Sequence, residues 1–136
     1  MKRTISFIAV AGFALPTLAQ TLSVDSIAID SLHLAGSYCR FGAQRDTVLV
    51  SDWNRKFWMR IDGKTVEFEG QKEDAETESQ LKNKRWREVL KADEVTVYID
   101  LAETGRGDDS ASFRGTVDVQ RGSMRKHFLV VGGCGA

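Results

Sequence analysis

Residues 95–101 read Val-Thr-Val-Tyr-Ile-Asp-Leu, and this stretch carries the clearest structural signal in the chain. Its aliphatic residues recur at every second position, whereas Thr, Tyr and Asp stand between them. Because successive side chains of a β-strand point to opposite faces, this alternation predicts a strand with one buried and one solvated face. Half-buried strands of this kind are typical of antiparallel sheets.

The same two-residue period recurs along most of the chain. Asp62-Gly63 separates two alternating runs, and an Asp-Gly pair in that position is a strong hairpin signal. Hairpin turns join several of the runs, and the chain lacks the regular alternation of strands and helices of a βαβ fold. Seven to eight short strands therefore predict an all-β fold, a small antiparallel barrel or sandwich, with a barrel preferred because closure removes exposed edges. The other runs predicted as strands are 37–41, 47–51, 84–90, 113–119 and 124–131.

The segment before residue 95 allows two interpretations. Residues 69–78 are mostly acidic, and residues 82–91 are mostly basic. Good helix formers make a helix over about 74–90 possible. Trp86, Glu88 and Leu90, however, alternate as in a strand. We favour a loop over 70–82 followed by a strand over 84–90.

The first 19 residues have the pattern of a secretory signal peptide. Lys2 and Arg3 precede an apolar run, 5–15, which is shorter than the roughly 20 residues needed to span a bilayer. A small residue, Ala19, stands before the predicted cleavage site. The protein is therefore predicted to be periplasmic or secreted, and the mature form is predicted not to span a membrane.

The mature chain divides into an N-terminal arm or leading strand, 20–35, and a single β domain, 36–136. Its only two cysteines, Cys39 and Cys134, lie near the two ends of that domain. Exported proteins form disulfides readily, so we predict that these two pair. Closing a loop of this length contributes about 4–5 kcal/mol on the chain-entropy model.

Composition argues against several classes of function. The 19 basic and 19 acidic residues balance, which is unlike a nucleic-acid-binding protein. Two Cys and two His are too few for a typical structural zinc site. His33 and His127 stand outside any Gly-x-Ser-x-Gly motif or metal-ligand spacing. We therefore predict surface or rim histidines, and no catalytic, metal or cofactor site.

The tryptophans near the first hairpin are the candidate binding residues. Trp58 falls on the outward face of the predicted strand, while Trp53 lies in the preceding turn. Exposed aromatic residues beside arginine often mark binding surfaces. The alternative is that Trp58 covers the outer face of the barrel or packs under the 70–82 loop. The predicted binding set is Trp53, Arg55, Trp58 and Arg60.

Three short motifs resemble those of small exported bacterial β proteins of unknown function. They are residues 38–41 (Tyr-Cys-Arg-Phe), 59–64 (Met-Arg-Ile-Asp-Gly-Lys) and 133–135 (Gly-Cys-Gly). The overall plan is loosely similar to that of the periplasmic inhibitors of c-type lysozyme. That resemblance implies a small disulfide-containing β-barrel that inserts a loop into the lysozyme cleft. The Ser-Gly-x-x-Tyr signature of those inhibitors does not occur in this sequence, so the resemblance assigns no site residue.

These observations favour an exported, non-enzymatic β-barrel binding protein of the bacterial envelope, with an envelope protein or glycan as partner. The alternatives are a small-ligand carrier that uses the barrel interior, and a hydrolase. A carrier needs a cavity between the inward side chains. A hydrolase needs His127 or His33 within hydrogen-bonding distance of a nucleophile or a carboxylate.

Overall fold

The computed structural model describes residues 21–52, 55–70 and 84–135, together with Gly12. Strands dominate this part of the chain, and the described residues form no α-helix, so the all-β prediction is confirmed. A single 3-10 turn, Ile29–Leu32, lies in the arm. The strands are β1 (Val24–Asp25), β2 (Tyr38–Ala43), β3 (Asp46–Ser51), β4 (Lys56–Ile61), β5 (Lys64–Glu69), β6 (Arg85–Ala92), β7 (Val95–Arg106), β8 (Ser110–Arg121) and β9 (Met124–Gly135).

All nine strands belong to one antiparallel sheet that curls into a half-barrel. The order of the longer strands is β5-β4-β3-β2-β9-β8-β7-β6. One edge of β4 pairs with β5, and the other pairs with β3 at Phe57 and Trp58 and with the short strand β1 at Arg60 and Ile61. The two end strands, β5 and β6, approach to within 8 Å between Cα atoms without forming a ladder. The sheet therefore curls far enough to bring β5 near β6, but the two strands are not hydrogen-bonded into a closed barrel.

The predicted hairpin is confirmed as the β4–β5 connection. Asp62 and Gly63 have φ angles of 51° and 77°, and two successive positive φ angles are the mark of a type I′ turn. Phe57 and Met59 lie on the buried face of β4, with 1% and 0% exposure. The alternation read from the sequence therefore assigned the two faces of this hairpin correctly.

Four aromatic rings form the centre of the core. Trp86 is 9% exposed, and its ring centroid lies 5.9 Å from Phe41, 5.9 Å from Phe57 and 5.7 Å from Phe113. The indole nitrogen of Trp86 donates a hydrogen bond to Glu88, so its polar atom has a partner. The strand predicted over 84–90 is confirmed by β6. The helical alternative is wrong for residues 85–90, and residues 71–83 lie outside the described residues.

Two glycines allow the sheet to curl. Gly132 on β9 lies in one row between Phe41 on β2 and Phe113 on β8. A Cβ atom at Gly132 would collide with the carbonyl oxygen of Arg40, and the two aromatic rings meet with centroids 6.2 Å apart. Gly115 on β8 is crowded in the same way by backbone atoms of β7. Glycine at such close approaches lets neighbouring strands coil more tightly than other residues would permit.

The cysteine pair joins two neighbouring strands. Cys39 on β2 lies directly opposite Cys134 on β9, and their sulfur atoms are 2.07 Å apart. Both residues are buried. The predicted disulfide is thus present, and it fastens the last strand to the first long strand.

The longest strands exceed the sequence prediction. The predicted runs 95–101 and 113–119 are shorter than the strands, because β7 continues through the polar residues 103–106 and β8 begins at Ser110. A register shift between Glu103 and Gly105 lets the ladder absorb this polar stretch. The β7–β8 hairpin is therefore longer than the hairpins of six-residue strands in the first half.

The described residues contain no helix that is long and apolar enough to cross a membrane.

Candidate functional site

The outward-facing side chains of β6, β7, β8 and β9 form one continuous surface, which we call the β6–β9 outer face. Cross-strand pairing fixes which residues are neighbours. Val89, Tyr98, Asp118 and His127 form one row across the four strands. The next rows are Arg87, Asp100, Thr116 and Leu129, then Arg85, Ala102, Arg114 and Val131. On the other side of the first row lie Lys91, Thr96, Gln120 and Arg125.

This face holds every large hydrophobic side chain that the described part of the chain leaves exposed. Leu129 is 73% exposed, Val131 51%, Tyr98 43% and Val89 37%. Leu129 and Val131 are neighbours on the same side of β9, because they are two residues apart on one strand. Clustered exposed apolar side chains mark interaction surfaces more often than scattered ones do.

The same face is basic. Five Arg and Lys side chains stand against two Asp side chains, which leaves a net charge of +3 with histidine neutral. The whole chain has a formal net charge of zero, so the positive charge is concentrated here. Arg114 lies between Ala102 and Val131 in its row. Within the described ranges, Arg114 forms no ion pair, so its charge is available to a partner.

Asp118 contacts two neighbouring side chains, Arg125 and His127. One carboxylate oxygen, Oδ1, accepts hydrogen bonds from Arg125 at 2.8 Å and 3.0 Å and lies 2.7 Å from His127 Nδ1. Partial burial raises the pKa of Asp118, but the hydrogen bonds from His127 and Arg125 outweigh that effect and leave its pKa below the usual range. The carboxylate is therefore charged at neutral pH and holds the Arg125 guanidinium and the His127 ring in place.

Asp100 has the same role one row away. Arg85 donates two hydrogen bonds to its carboxylate, at 3.0 Å and 3.1 Å, and Arg87 lies 3.5 Å from Oδ1. The hydrogen bonds from Arg85 lower the pKa of Asp100 more than partial burial raises it. Each acidic side chain of the face thus contacts basic ones, which orders the guanidinium groups of Arg85 and Arg125.

The described residues include three of the four predicted binding residues, Arg55, Trp58 and Arg60. Trp58 lies on the outer side of β4, half-buried, opposite Val50 on β3 and Glu67 on β5. Arg55 and Arg60 are exposed near it. Trp53 lies outside the described residues. The structure places Trp58, Arg55 and Arg60 on the β4 side of the molecule, on different strands from the β6–β9 outer face, and their role in binding stays a prediction.

The surroundings of His127 bear on the hydrolase alternative. His127 meets the condition set for a hydrolase, since a carboxylate lies within hydrogen-bonding distance. The pair stands on an open convex surface, however, and in the described part of the chain no hydroxyl or thiol side chain hydrogen-bonds to His127. The described residues contain no group of three or more His, Cys, Asp or Glu side chains placed to hold a metal ion.

Sequence reasoning missed the most exposed residues of the face. Leu129 and Val131 occur in the run Phe-Leu-Val-Val, in which all four residues are apolar, so alternation could not separate the core side from the solvent side. Only the pairing of β9 with β8 shows that Leu129 lies opposite Thr116, on the outer side. No protein-family model, curated protein or solved structure matches this chain.

Proposed function

We propose that this protein is an exported, non-enzymatic binding module of the bacterial envelope that engages a partner protein through the β6–β9 outer face. One observation carries the proposal: Leu129, Val131, Tyr98 and Val89 are exposed together on a face with a net charge of +3. Single exposed hydrophobic residues are ordinary on soluble proteins. A basic surface with clustered aliphatic side chains is better explained by a partner that covers it.

The physical chemistry of the face suits recognition of a protein. Burying aliphatic surface contributes about 25 cal/mol per Å² removed from water, so Leu129 can act as a hydrophobic anchor. Arg85 and Arg125 on the same face are already oriented by Asp100 and Asp118. Less side-chain entropy is then lost when they meet a carboxylate of the partner.

Export is supported by the N-terminal sequence and by the disulfide. Lys2, Arg3 and the apolar run that follows have the form of a cleavable signal. Disulfides persist in oxidising compartments and are rare in the cytosol. Their combination favours the periplasm or the extracellular space, where a rigid stapled sheet would serve as a recognition scaffold.

The filled interior favours a binding module over a carrier that uses the barrel interior. Each ring of Phe41, Phe57 and Phe113 has its centroid within 5.9 Å of that of Trp86, so aromatic side chains fill the centre of the core. A second candidate function still has its own observation. An open depression of about 700 Å³ lies at one end of the barrel, with Ile61, Val66 and Val95 among its lining residues. A small apolar ligand bound there would raise the melting temperature of the protein, and Val66→Asp would abolish that rise.

The decisive experiment is capture with matched variants. Residues 20–136 would be immobilised and exposed to envelope extract, peptidoglycan and a purified c-type lysozyme. Any captured protein would be identified, purified and tested for direct binding. We expect Leu129→Asp/Val131→Asp to abolish binding while Trp58→Ala/Arg60→Ala retains it. The opposite pattern would transfer the site to the predicted tryptophan surface, and thermal unfolding of each variant would establish that it is folded.

A further inference from the structure

The two strands that meet at the disulfide have unequal lengths. β9 has 12 residues, whereas β2 has only six. Their ladder runs from Tyr38 opposite Gly135 to Gly42 opposite Val131. β9 therefore extends beyond β2 by the seven residues from Met124 to Val130, which pair with β8 on the other side.

That extension leaves an open strand edge. Among the described residues, no strand is paired with Met124–Val130 on the side of β2, because that ladder ends at Gly42 opposite Val131. In an antiparallel strand, the N–H and C=O groups of alternate residues point to opposite edges. One of these sets bonds to β8, and the other points away from it. Open edges of this kind are templates for an added strand.

The side chains along the edge divide into two chemical halves. Arg125, Lys126 and His127 are consecutive and exposed. Phe128, half-buried, and Leu129, exposed, continue the strand toward the buried Val130. On the inward side of the edge, Met124 and Phe128 are only partly buried and Lys126 between them is exposed, which is expected where the sheet ends. The edge thus carries a basic half followed by an apolar half.

We infer that the partner contributes an extended acidic segment that adds to the sheet as a strand on the Met124–Val130 edge of β9. This inference rests on the proposed function, because Arg125, His127 and Leu129 belong both to this edge and to the β6–β9 outer face. Every strand pair in the sheet is antiparallel. An antiparallel addition places aliphatic residues of the segment opposite the apolar half of the edge, and the acidic residues that follow them opposite the basic half.

The charges select this occupant over two others. A second copy of the chain adding antiparallel along the same seven residues would set Arg125 opposite Leu129 and Lys126 opposite Phe128, so neither cation would meet a carboxylate across the ladder. An anionic membrane would attract the arginines, but it would also remove Asp100 and Asp118 from water without supplying hydrogen-bond donors. An acidic protein strand supplies backbone N–H groups and carboxylates together.

The test uses two capped peptides of equal composition. One is Thr-Val-Ile-Val-Glu-Glu-Glu-Thr, and the other has the same residues in reverse order. Backbone amide resonances of isotope-labelled residues 20–136 would be followed during titration. We expect the first peptide to shift the amides of Met124–Val130 and to slow hydrogen exchange at alternate residues there. The reversed peptide should bind at least roughly ten-fold more weakly, because its charges meet the apolar half.

A matched pair of variants separates strand addition from general attraction between charges. Lys126→Glu lies on the edge and should weaken binding of the first peptide at least roughly ten-fold. Lys64→Glu makes the same charge change on β5 and should leave binding unchanged. Lys126 is exposed and has no ion pair among the described residues, so its replacement should not unfold the protein.

Three results of the peptide titrations would overturn the inference: absence of amide shifts at millimolar peptide, equal or tighter binding of the reversed peptide, or equal effects of the two lysine variants. The proposed function is tested separately by capture, and it fails if the Leu129→Asp/Val131→Asp variant still binds the partner. Suppose that Leu129→Asp/Val131→Asp abolishes capture of the partner, but the amides of Met124–Val130 stay unprotected in the complex of the wild-type protein with that partner. The binding face then stands, and strand addition is wrong. Formation of a dimer by the protein alone at that edge would likewise contradict it.

Discussion

The two halves of the sheet treat their outer surfaces differently. The first half, β2 to β5, consists of six-residue strands, and the N-terminal arm is tied to it by the bond from Ile27 N to the carbonyl oxygen of Thr47. There, Val50 faces outward yet is 0% exposed. The second half, β6 to β9, has longer strands and leaves Leu129 73% exposed. Where the chain covers its own sheet it needs no partner, and the uncovered half is where a partner is expected.

Two joints hold these halves together, one toward each end of the half-barrel. At one joint, the disulfide links β2 to β9. At the other, Asp62 in the β4–β5 turn forms an ion pair with Arg121 at the end of β8 and accepts a hydrogen bond from the backbone of Ser23 in the arm. The first joint is covalent and buried, and the second is ionic and exposed. The difference predicts how strongly each will affect stability.

Breaking the covalent joint should have the largest effect. Cys39→Ala/Cys134→Ala removes the cross-link between the halves, and we expect a loss of about 4 kcal/mol in the free energy of unfolding. Urea denaturation of the oxidised protein and the variant would measure it. A loss below about 1 kcal/mol would show that the β2–β9 ladder holds the halves together without the cross-link.

Straightening the curl beside that joint should come next. Gly132→Ala places a Cβ against the carbonyl oxygen of Arg40, and we expect a loss of about 3 kcal/mol from the forced shift of the backbone. Gly105→Ala is the matched control, because nothing lies within 4 Å of a Cβ at that position. Similar urea midpoints for the two variants would contradict the role assigned to Gly132.

The ionic joint should give a pH-dependent effect. Arg121, and then the backbone N–H of Ser23, lower the pKa of Asp62 below its ordinary value of 3.8. Its stabilising contribution is therefore complete above that value and is lost as the pH falls through the lower folded-state pKa. Asp62→Asn should reduce stability at neutral pH, and the difference from the wild type should shrink in acid. A difference that is constant with pH would contradict the ionic joint.

The smallest effect on stability is expected on the uncovered face. Leu129→Asp changes a side chain that is already in water, so the free energy of unfolding should change by less than about 0.5 kcal/mol. Thermal unfolding would measure this change, and binding to the partner would be lost. A large destabilisation would mean that Leu129 packs within the protein and does not serve a partner.

Local alternation was sufficient for much of the fold. The period of two in 95–101 predicted β7 and its buried face, and Asp62-Gly63 predicted the hairpin with its positive φ angles. Both are local properties, because strand faces and type I′ turns depend on neighbouring residues. The cysteine pair was predicted from composition and export, without knowledge of which strands are neighbours.

The candidate site was not accessible to the same reasoning. The β6–β9 outer face combines residues from four strands, and the cluster of Arg125, His127 and Asp118 exists only because β8 and β9 pair in one particular register. The open edge of β9 depends on the difference in length between two strands that lie far apart in the sequence. Strands, their faces and one turn could be predicted from the amino-acid sequence, because they follow from contacts between near neighbours. The uncovered face could not be predicted in this way, since exposure depends on which strands the folded chain brings together.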